Sequence, residues 1–303
     1  MDALSRLASE GLISNAVMLG DRDVIMKNAD LFHVERDTFT VMERGSLLVG
    51  TRYREEYKKV RNLSVLEGDI LEEALKDPIT AGSLLLRVGE VDGLIAGLST
   101  NTAKVLSSGL NIIKADRRVG VVTSFLLVYT DNPLLGEEGL LLIADPVVNP
   151  DPSVGVLCKI AEAAAYFARS FLKIKPRIAF LSYSTKGSGL GKSVDKMRIA
   201  AERSMSKMPE IAIDGELQFD AAIYPDIAAK KAPRSPLEGK ANVLIFPNLD
   251  AANIGSKLIQ FFGNAKLVGP IIFGLNSPFN DISRGADSED LYNLAIITQL
   301  QAN

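Results

Sequence analysis

Val268-Gly-Pro-Ile-Ile-Phe-Gly-Leu-Asn-Ser-Pro-Phe-Asn-Asp-Ile-Ser-Arg-Gly285 passes from an apolar run into a loop broken by Pro and Asn, and ends in an Asn-Asp-x-Ser-Arg-Gly turn. The apolar run reads as a buried strand, and the acids after the turn predict a new helix from about Ser288. Strand, loop and helix in that order is the unit from which α/β proteins are built. At the loop, the Ser283 hydroxyl, the Arg284 guanidinium and a helix N-terminus fall within a few residues of each other. Together they suit a phosphate or a phosphorylated ligand.

The same alternation extends outward along the chain. Apolar runs at Asn15 to Gly20, Gly93 to Gly97, Val121 to Tyr129, Gly139 to Ala144, Arg177 to Ser182 and Asn242 to Phe246 are mostly bounded by Gly, Pro, Asp or Asn. They read as strands, and the stretches between them, such as Pro152 to Leu172 and Ser193 to Lys207, read as helices. In the first of these, Val154, Leu157, Ile160, Ala161, Ala164 and Phe167 recur at helical spacing. The pattern predicts mainly parallel sheets with helices on both faces, a three-layer α/β arrangement. A chain of 303 residues predicts two domains rather than one. The junction is expected within residues 117 to 135, with the final helix returning to the first domain. This gives residues 1–130 plus 283–303 for the first domain and 131–282 for the second.

Composition removes several classes of function. Lys plus Arg number 34 against 37 Asp plus Glu, so the net charge of -3 offers no electrostatic basis for nucleic acid binding. Cys158 is the only cysteine and His33 the only histidine, which excludes an intrachain disulfide, a multi-thiolate metal site and a multi-histidine zinc site. No apolar stretch approaches the roughly 20 residues needed to span a bilayer, and the first residues do not read as a signal peptide. The protein is expected to be cytoplasmic.

Lys186-Gly-Ser-Gly-Leu-Gly-Lys-Ser193 has the look of a nucleotide loop but fails both templates. A P-loop needs glycine where Lys186 stands, and a dinucleotide fingerprint needs its third glycine where Lys192 stands. The segment reads either as a flexible connection or as a cradle of backbone N–H groups for an anion. Asp214-Gly-Glu-Leu-Gln-Phe-Asp220 places three acids near an expected turn, without the second cluster that a metal would need.

Several blocks carry a resemblance to phosphate acetyltransferases, in the phosphate acetyl/butyryltransferase family. They are Leu181-Ser-Tyr-Ser-Thr-Lys-Gly-Ser188, Asp214 to Asp220, Ala228-Ala-Lys-Lys-Ala-Pro233, Asn242-Val-Leu-Ile-Phe-Pro247 and Gly269 to Gly285. The resemblance implies two α/β domains with a cleft between them, usually in a homodimer. It implies reversible acetyl transfer between acetyl phosphate and coenzyme A, the latter as substrate, with no metal and no resident cofactor. Carried over, Ser283 and Arg284 match the acetyl-phosphate-binding pair and Asp290 the base for the thiol. Arg61 matches an arginine linked to coenzyme A binding, and Ser184, Thr185 and Asn280 are implied as further substrate contacts. The chain departs from the family pattern at Ser107, where an arginine is expected. Butyryl transfer and a non-catalytic acyl-ligand sensor are the alternatives within the same resemblance.

Overall fold

The computed structural model describes residues 1–62 and 68–302. They form two compact units, one of Met1–Ala115 with Leu275–Asn303 and one of Asp116–Gly274. Strands β1 (Ala16–Leu19), β2 (Phe39–Met42) and β3 (Leu94–Ala96) belong to the first unit. The second holds β4 (Thr123–Tyr129), β5 (Leu140–Ala144), β6 (Arg177–Leu181), β7 (Ala212–Leu217), β8 (Val243–Ile245) and β9 (Lys266–Phe273), and β10 (Phe279–Asp281) returns to the first.

The breaks fall at 115/116 and 274/275 rather than at the expected 130/131 and 282/283. Hydrogen bonding gives the reason. β4 pairs with β5 and β9 and so belongs to the second sheet, whereas β10 pairs with β3 in the first unit.

The second unit is built on a six-stranded sheet in the order β7-β6-β8-β5-β4-β9. β7, β6, β8 and β5 run parallel, and β4 is antiparallel to both of its neighbours. Ile178, Ala179, Phe180 and Leu181 of β6 are all buried, as expected of a strand covered on both faces. Helix Val154–Ser170 starts at Ser153, whose hydroxyl accepts from the Val156 N–H at 3.4 Å. It buries Leu157, Ile160, Ala161, Ala164 and Phe167, the stripe read from the sequence apart from half-buried Val154. Phe125 of β4 meets Phe167 and Phe273 with ring centroids 5.1 and 5.6 Å apart, joining helix and sheet by aromatic packing.

In the first unit, two parallel pairs, β1 with β2 and β3 with β10, stand as separate two-stranded sheets. A cluster including Leu75, Leu84, Ile112, Ile113 and Phe279 forms the main core here. Helix Pro78–Arg87 begins with Pro at its start, behind Asp77, whose carboxylate accepts from the Thr80 N–H at 3.0 Å. The final helix, Ser288–Ala302, packs on helix Asp2–Ser9. The Arg6 guanidinium lies 3.8 Å from the Tyr292 ring centroid and pairs with Glu289.

Candidate active site

Ser283 and Arg284 leave the buried end of β10 and are both exposed. The Ile282 N–H donates to the Ala96 carbonyl at 2.8 Å, so the chain emerges from the sheet at a fixed point. Ser283 Oγ accepts from the Gly285 N–H at 3.2 Å, which leaves its own O–H as a donor directed by a tight turn. Among the described residues, Arg284 makes no hydrogen bond or ion pair. An exposed guanidinium without a carboxylate partner can hold a phosphate through its planar fork.

The helix N-terminus does not join them as an anion site. Asp287 Oδ1 accepts from the Asp290 N–H at 2.9 Å, and Asp290 Oδ2 accepts from the Asp287 N–H at 3.2 Å. This reciprocal capping box uses two donors that a phosphate would need, and it places two carboxylates at the helix start. Of the three, Ser283 and Arg284 are the two that keep side-chain donors free of protein acceptors among the described residues. Asp290 is half-buried in the first helical turn, with one carboxylate oxygen engaged in the cap.

Asn280 lies inward instead of facing a ligand. It is fully buried, and its amide donates to Thr298 Oγ1 at 2.8 Å and Gln301 Oε1 at 2.7 Å. The side chain fastens β10 to the final helix, so it positions the loop that follows. Next to it, Asp281 is 1% exposed and accepts from Thr102 Oγ1 at 2.6 Å through Oδ2, while Oδ1 has no hydrogen-bond partner. Burial holds this carboxyl above the usual carboxylate range, against the hydrogen bond from Thr102.

A carboxyl raised on folding contributes stability that is present below its unfolded pKa and lost as pH rises through the folded value. Above the unfolded value the buried, half-partnered carboxyl of Asp281 therefore costs stability. Asp281→Asn is expected to raise the unfolding free energy by on the order of 1 kcal/mol at pH 7. The gain should shrink as pH falls towards the unfolded carboxyl value. Urea midpoints across that range check it, and a pH-independent difference would contradict the assignment.

Arg61 ends helix Thr51–Arg61 and is exposed, with no hydrogen bond or ion pair among the described residues. Ser107 is exposed on helix Thr102–Ser108 and accepts from the Asn111 side chain at 3.1 Å. A hydroxyl there cannot replace the charge of the arginine that the resemblance leads one to expect.

In the second unit, Ser184 and Thr185 are buried, and their hydroxyls are engaged inside the loop after β6. Ser184 Oγ donates to Glu216 Oε1 at 3.0 Å and accepts from the Gly189 N–H at 2.9 Å. Thr185 Oγ1 accepts from the Gln218 N–H at 2.9 Å. Glu216, itself 1% exposed, also accepts from the Gly187 N–H at 2.7 Å, and Lys186 pairs with Asp214. The first half of the segment is no loose connection, because the N–H groups of Lys186, Gly187, Ser188 and Gly189 all have protein acceptors. Asp214 and Glu216 are not a turn cluster. They belong to β7 and anchor the loop. The alternation of apolar residues in Ile211-Ala-Ile-Asp-Gly-Glu-Leu217 is the sequence signal for that strand.

Asp145, directly after β5, is a functional-type carboxylate that no sequence motif marks. Its carboxylate, 4% exposed in the residue as a whole, accepts from Thr123 and Ser124 hydroxyls, from the N–H groups of Val147, Val148 and Asn149, and from the Asn149 amide. Among the described residues, no group of three or more His, Cys, Asp and Glu side chains is arranged to hold a metal ion. None of the described helices is long and apolar enough to cross a membrane.

Comparison with known proteins places this geometry in context. Residues 1–299 match the family model described as Phosphate acetyl/butaryl transferase. The phosphate acetyltransferase of Clostridium acetobutylicum is 39% identical over 300 residues, covering 99% of this chain and 90% of that enzyme. A crystal structure of a phosphotransacetylase from Streptococcus pyogenes superposes with a TM-score of 0.88 at 36% identity, covering 99% of this chain and 89% of that one. The EutD phosphotransacetylase from Staphylococcus aureus gives a TM-score of 0.84 at 34% identity, with 99% and 90% covered.

Proposed function

The chain belongs to the phosphate acetyl/butaryl transferase family, and from that premise we propose how it carries out reversible acetyl transfer between acetyl phosphate and coenzyme A. It is an acyltransferase. The observation that carries the residue assignment is the pair at the mouth of β10: an unpartnered Arg284 guanidinium beside a Ser283 hydroxyl whose proton is available.

In this reading Arg284 grips the phosphate oxygens of acetyl phosphate, and Ser283 donates to an oxygen of the acyl phosphate. A free thiol has a pKa of about 8.5, so little thiolate exists at neutral pH. Asp290 takes the thiol proton as the sulfur attacks the acetyl carbonyl carbon. A carboxylate is a weaker base than a thiolate, so this transfer accompanies C–S bond formation and does not precede it. The tetrahedral adduct collapses with cleavage of the carbon–oxygen bond to phosphate. Acetyl-coenzyme A and inorganic phosphate result, and Arg284 holds the charge that returns to the leaving oxygens. In reverse, phosphate attacks the thioester and Asp290 returns the proton to sulfur. Arg61 is assigned to the coenzyme A side. Ser184 and Thr185 are assigned to shaping the loop after β6.

The reading includes a homodimer in the cytoplasm. Ile254, Leu258, Phe261 and Phe262 are exposed along helix Leu249–Gly263 at spacings that share one helical face, and such an apolar stripe favours covering by a second copy. Light scattering should then give twice the chain mass.

Acyl length is tested by thiol release from acetyl-, propionyl- and butyryl-coenzyme A with phosphate. Acetyl is expected to be turned over fastest, by roughly 100-fold over butyryl, given that butyryl carries two further methylenes and each is worth about 1–3 kcal/mol in a fitted pocket. A faster butyryl reaction would move the enzyme to the butyryl branch, and no release from any thioester would leave only a sensor.

A further inference from the structure

We propose that Asp281 is a positioning residue for acetyl transfer. One carboxylate oxygen is held by the Thr102 hydroxyl and the other packs against Gly97, and together these contacts set the course on which Ser283 and Arg284 leave β10. The proposal rests on the assignment of Ser283 and Arg284 to the acyl-phosphate site, and names the side chain that aims them.

β10 is too short to fix its own end by backbone pairing. It has three residues and, among the described residues, a single partner strand, β3. Side chains supply the rest. Successive residues of a strand face opposite ways, and here each face carries an anchor. Asn280 reaches the final helix through Thr298 and Gln301, whereas Asp281 reaches helix Thr102–Ser108 through Thr102 Oγ1 at 2.6 Å. Of the two anchors, Asp281 stands nearer to Ser283, with only Ile282 between them.

Both contacts are made by parts that cannot drift. Thr102 opens its helix, and Asn101 caps that start by accepting from the Lys104 N–H at 2.9 Å. Gly97 follows β3 directly and has φ of 132°, a conformation that favours glycine. A Cβ there would lie 2.5 Å from Asp281 Oδ1 and closer still to the Ile282 carbonyl oxygen. Any larger residue at 97 would push the end of β10 away. Asp281 Oδ1, which has no hydrogen-bond partner, thus faces the Gly97 C–H, a weak contact suited to a carboxylate oxygen.

Stability alone would not keep a carboxyl at this place. Asp281 is buried with one hydrogen bond, and burial raises its pKa despite that bond. Groups that cost stability are retained where activity depends on them. The activity within reach is that of the turn Asp281 precedes. Ile282 is buried and its N–H donates to the Ala96 carbonyl, so a shift of Asp281 is passed along the chain to Ser283.

The test compares Thr102→Val, which removes the hydroxyl, with Thr102→Ser, which keeps it, and with Asp281→Asn. Kinetics are read well below the unfolding temperature. Thr102→Val should lower kcat by roughly tenfold or more and leave KM for coenzyme A within about twofold, since a misaimed group costs rate more than thiol binding. Hydrogen exchange at the Ile282 N–H should quicken by roughly tenfold. Thr102→Ser should restore both. Asp281→Asn should be slower than the parent although more stable at pH 7, a combination that a purely structural role does not produce. Parental kcat in Thr102→Val and Asp281→Asn overturns the proposal, and so does an equal loss in Thr102→Val and Thr102→Ser. Arg284→Ala, measured alongside, separates the two levels. If it is slow while those variants are parental, only the positioning role falls; if it is parental, the site assignment falls and takes the positioning role with it.

Discussion

Arg284→Ala should lower kcat by roughly 10²–10³-fold while leaving the unfolding transition where it is. The side chain is exposed and engages nothing in the protein, so its loss removes no packing and strands no buried partner. Surface changes of that kind usually fall within about ±0.5 kcal/mol of the parent. Its proposed task is different in kind. A guanidinium held in place before the reaction stabilises the leaving phosphate at no cost in reorganisation, an effect worth roughly 3 kcal/mol for one donor. Arg284→Lys should recover only part of the rate, since an ammonium lacks the two-pronged geometry. Steady-state kinetics in both directions, alongside urea unfolding, decide the matter. Parental turnover in the alanine variant would remove this residue from the site.

The largest expected effect on stability lies elsewhere. Asp145→Ala should cost about 4 kcal/mol or more and unfold the second unit at moderate temperature. The carboxylate gathers two hydroxyls, three backbone N–H groups and one amide around itself, and nearly all of this is out of reach of water. Hydrogen bonds to a charged group contribute roughly 1.5–3 kcal/mol each, and donors left buried without an acceptor pay their desolvation in full. The contributions do not add, because the donors share one acceptor and can partly rearrange. Asp145→Asn keeps the shape but turns an NH₂ group towards donors, and it should lose about half as much. Denaturant midpoints measure both, and a midpoint near the parental value for the alanine variant would show that the turn holds itself.

What the sequence made legible follows from how locally each feature is encoded. β1, β3, β4, β5, β6 and β8 lie inside the apolar runs, and the final helix starts at Ser288 as its acids indicate. β10 was hidden because Phe279-Asn-Asp281 follows Pro278 and carries turn-forming residues. It is a strand because Asn280 and Asp281 find partners on Thr298 and Thr102, far away along the chain. Asp145 was hidden for the same reason. Ala144-Asp-Pro146 looks like a turn, and the Thr123 and Ser124 hydroxyls that complete the cage come from another strand. The exposed Ser283 and Arg284 were readable as candidates from type and spacing alone. The inward direction of Asn280, Ser184 and Thr185 depends on strand register and loop course, which no short motif specifies.

The unit that Met1 begins is completed by residues from Leu275 onward, while Asp116–Gly274 forms a continuous piece between them. Vectorial synthesis then imposes an order. The middle piece can close once it clears the ribosome, but the early piece must wait for translation of everything in between. At about 5–20 residues per second, that delay is roughly 10–30 s. Throughout it, Leu84, Ile112 and their neighbours lack Phe279 and the closing helix. For that interval the apolar core around Leu84 and Ile112 stays half-built and open to water.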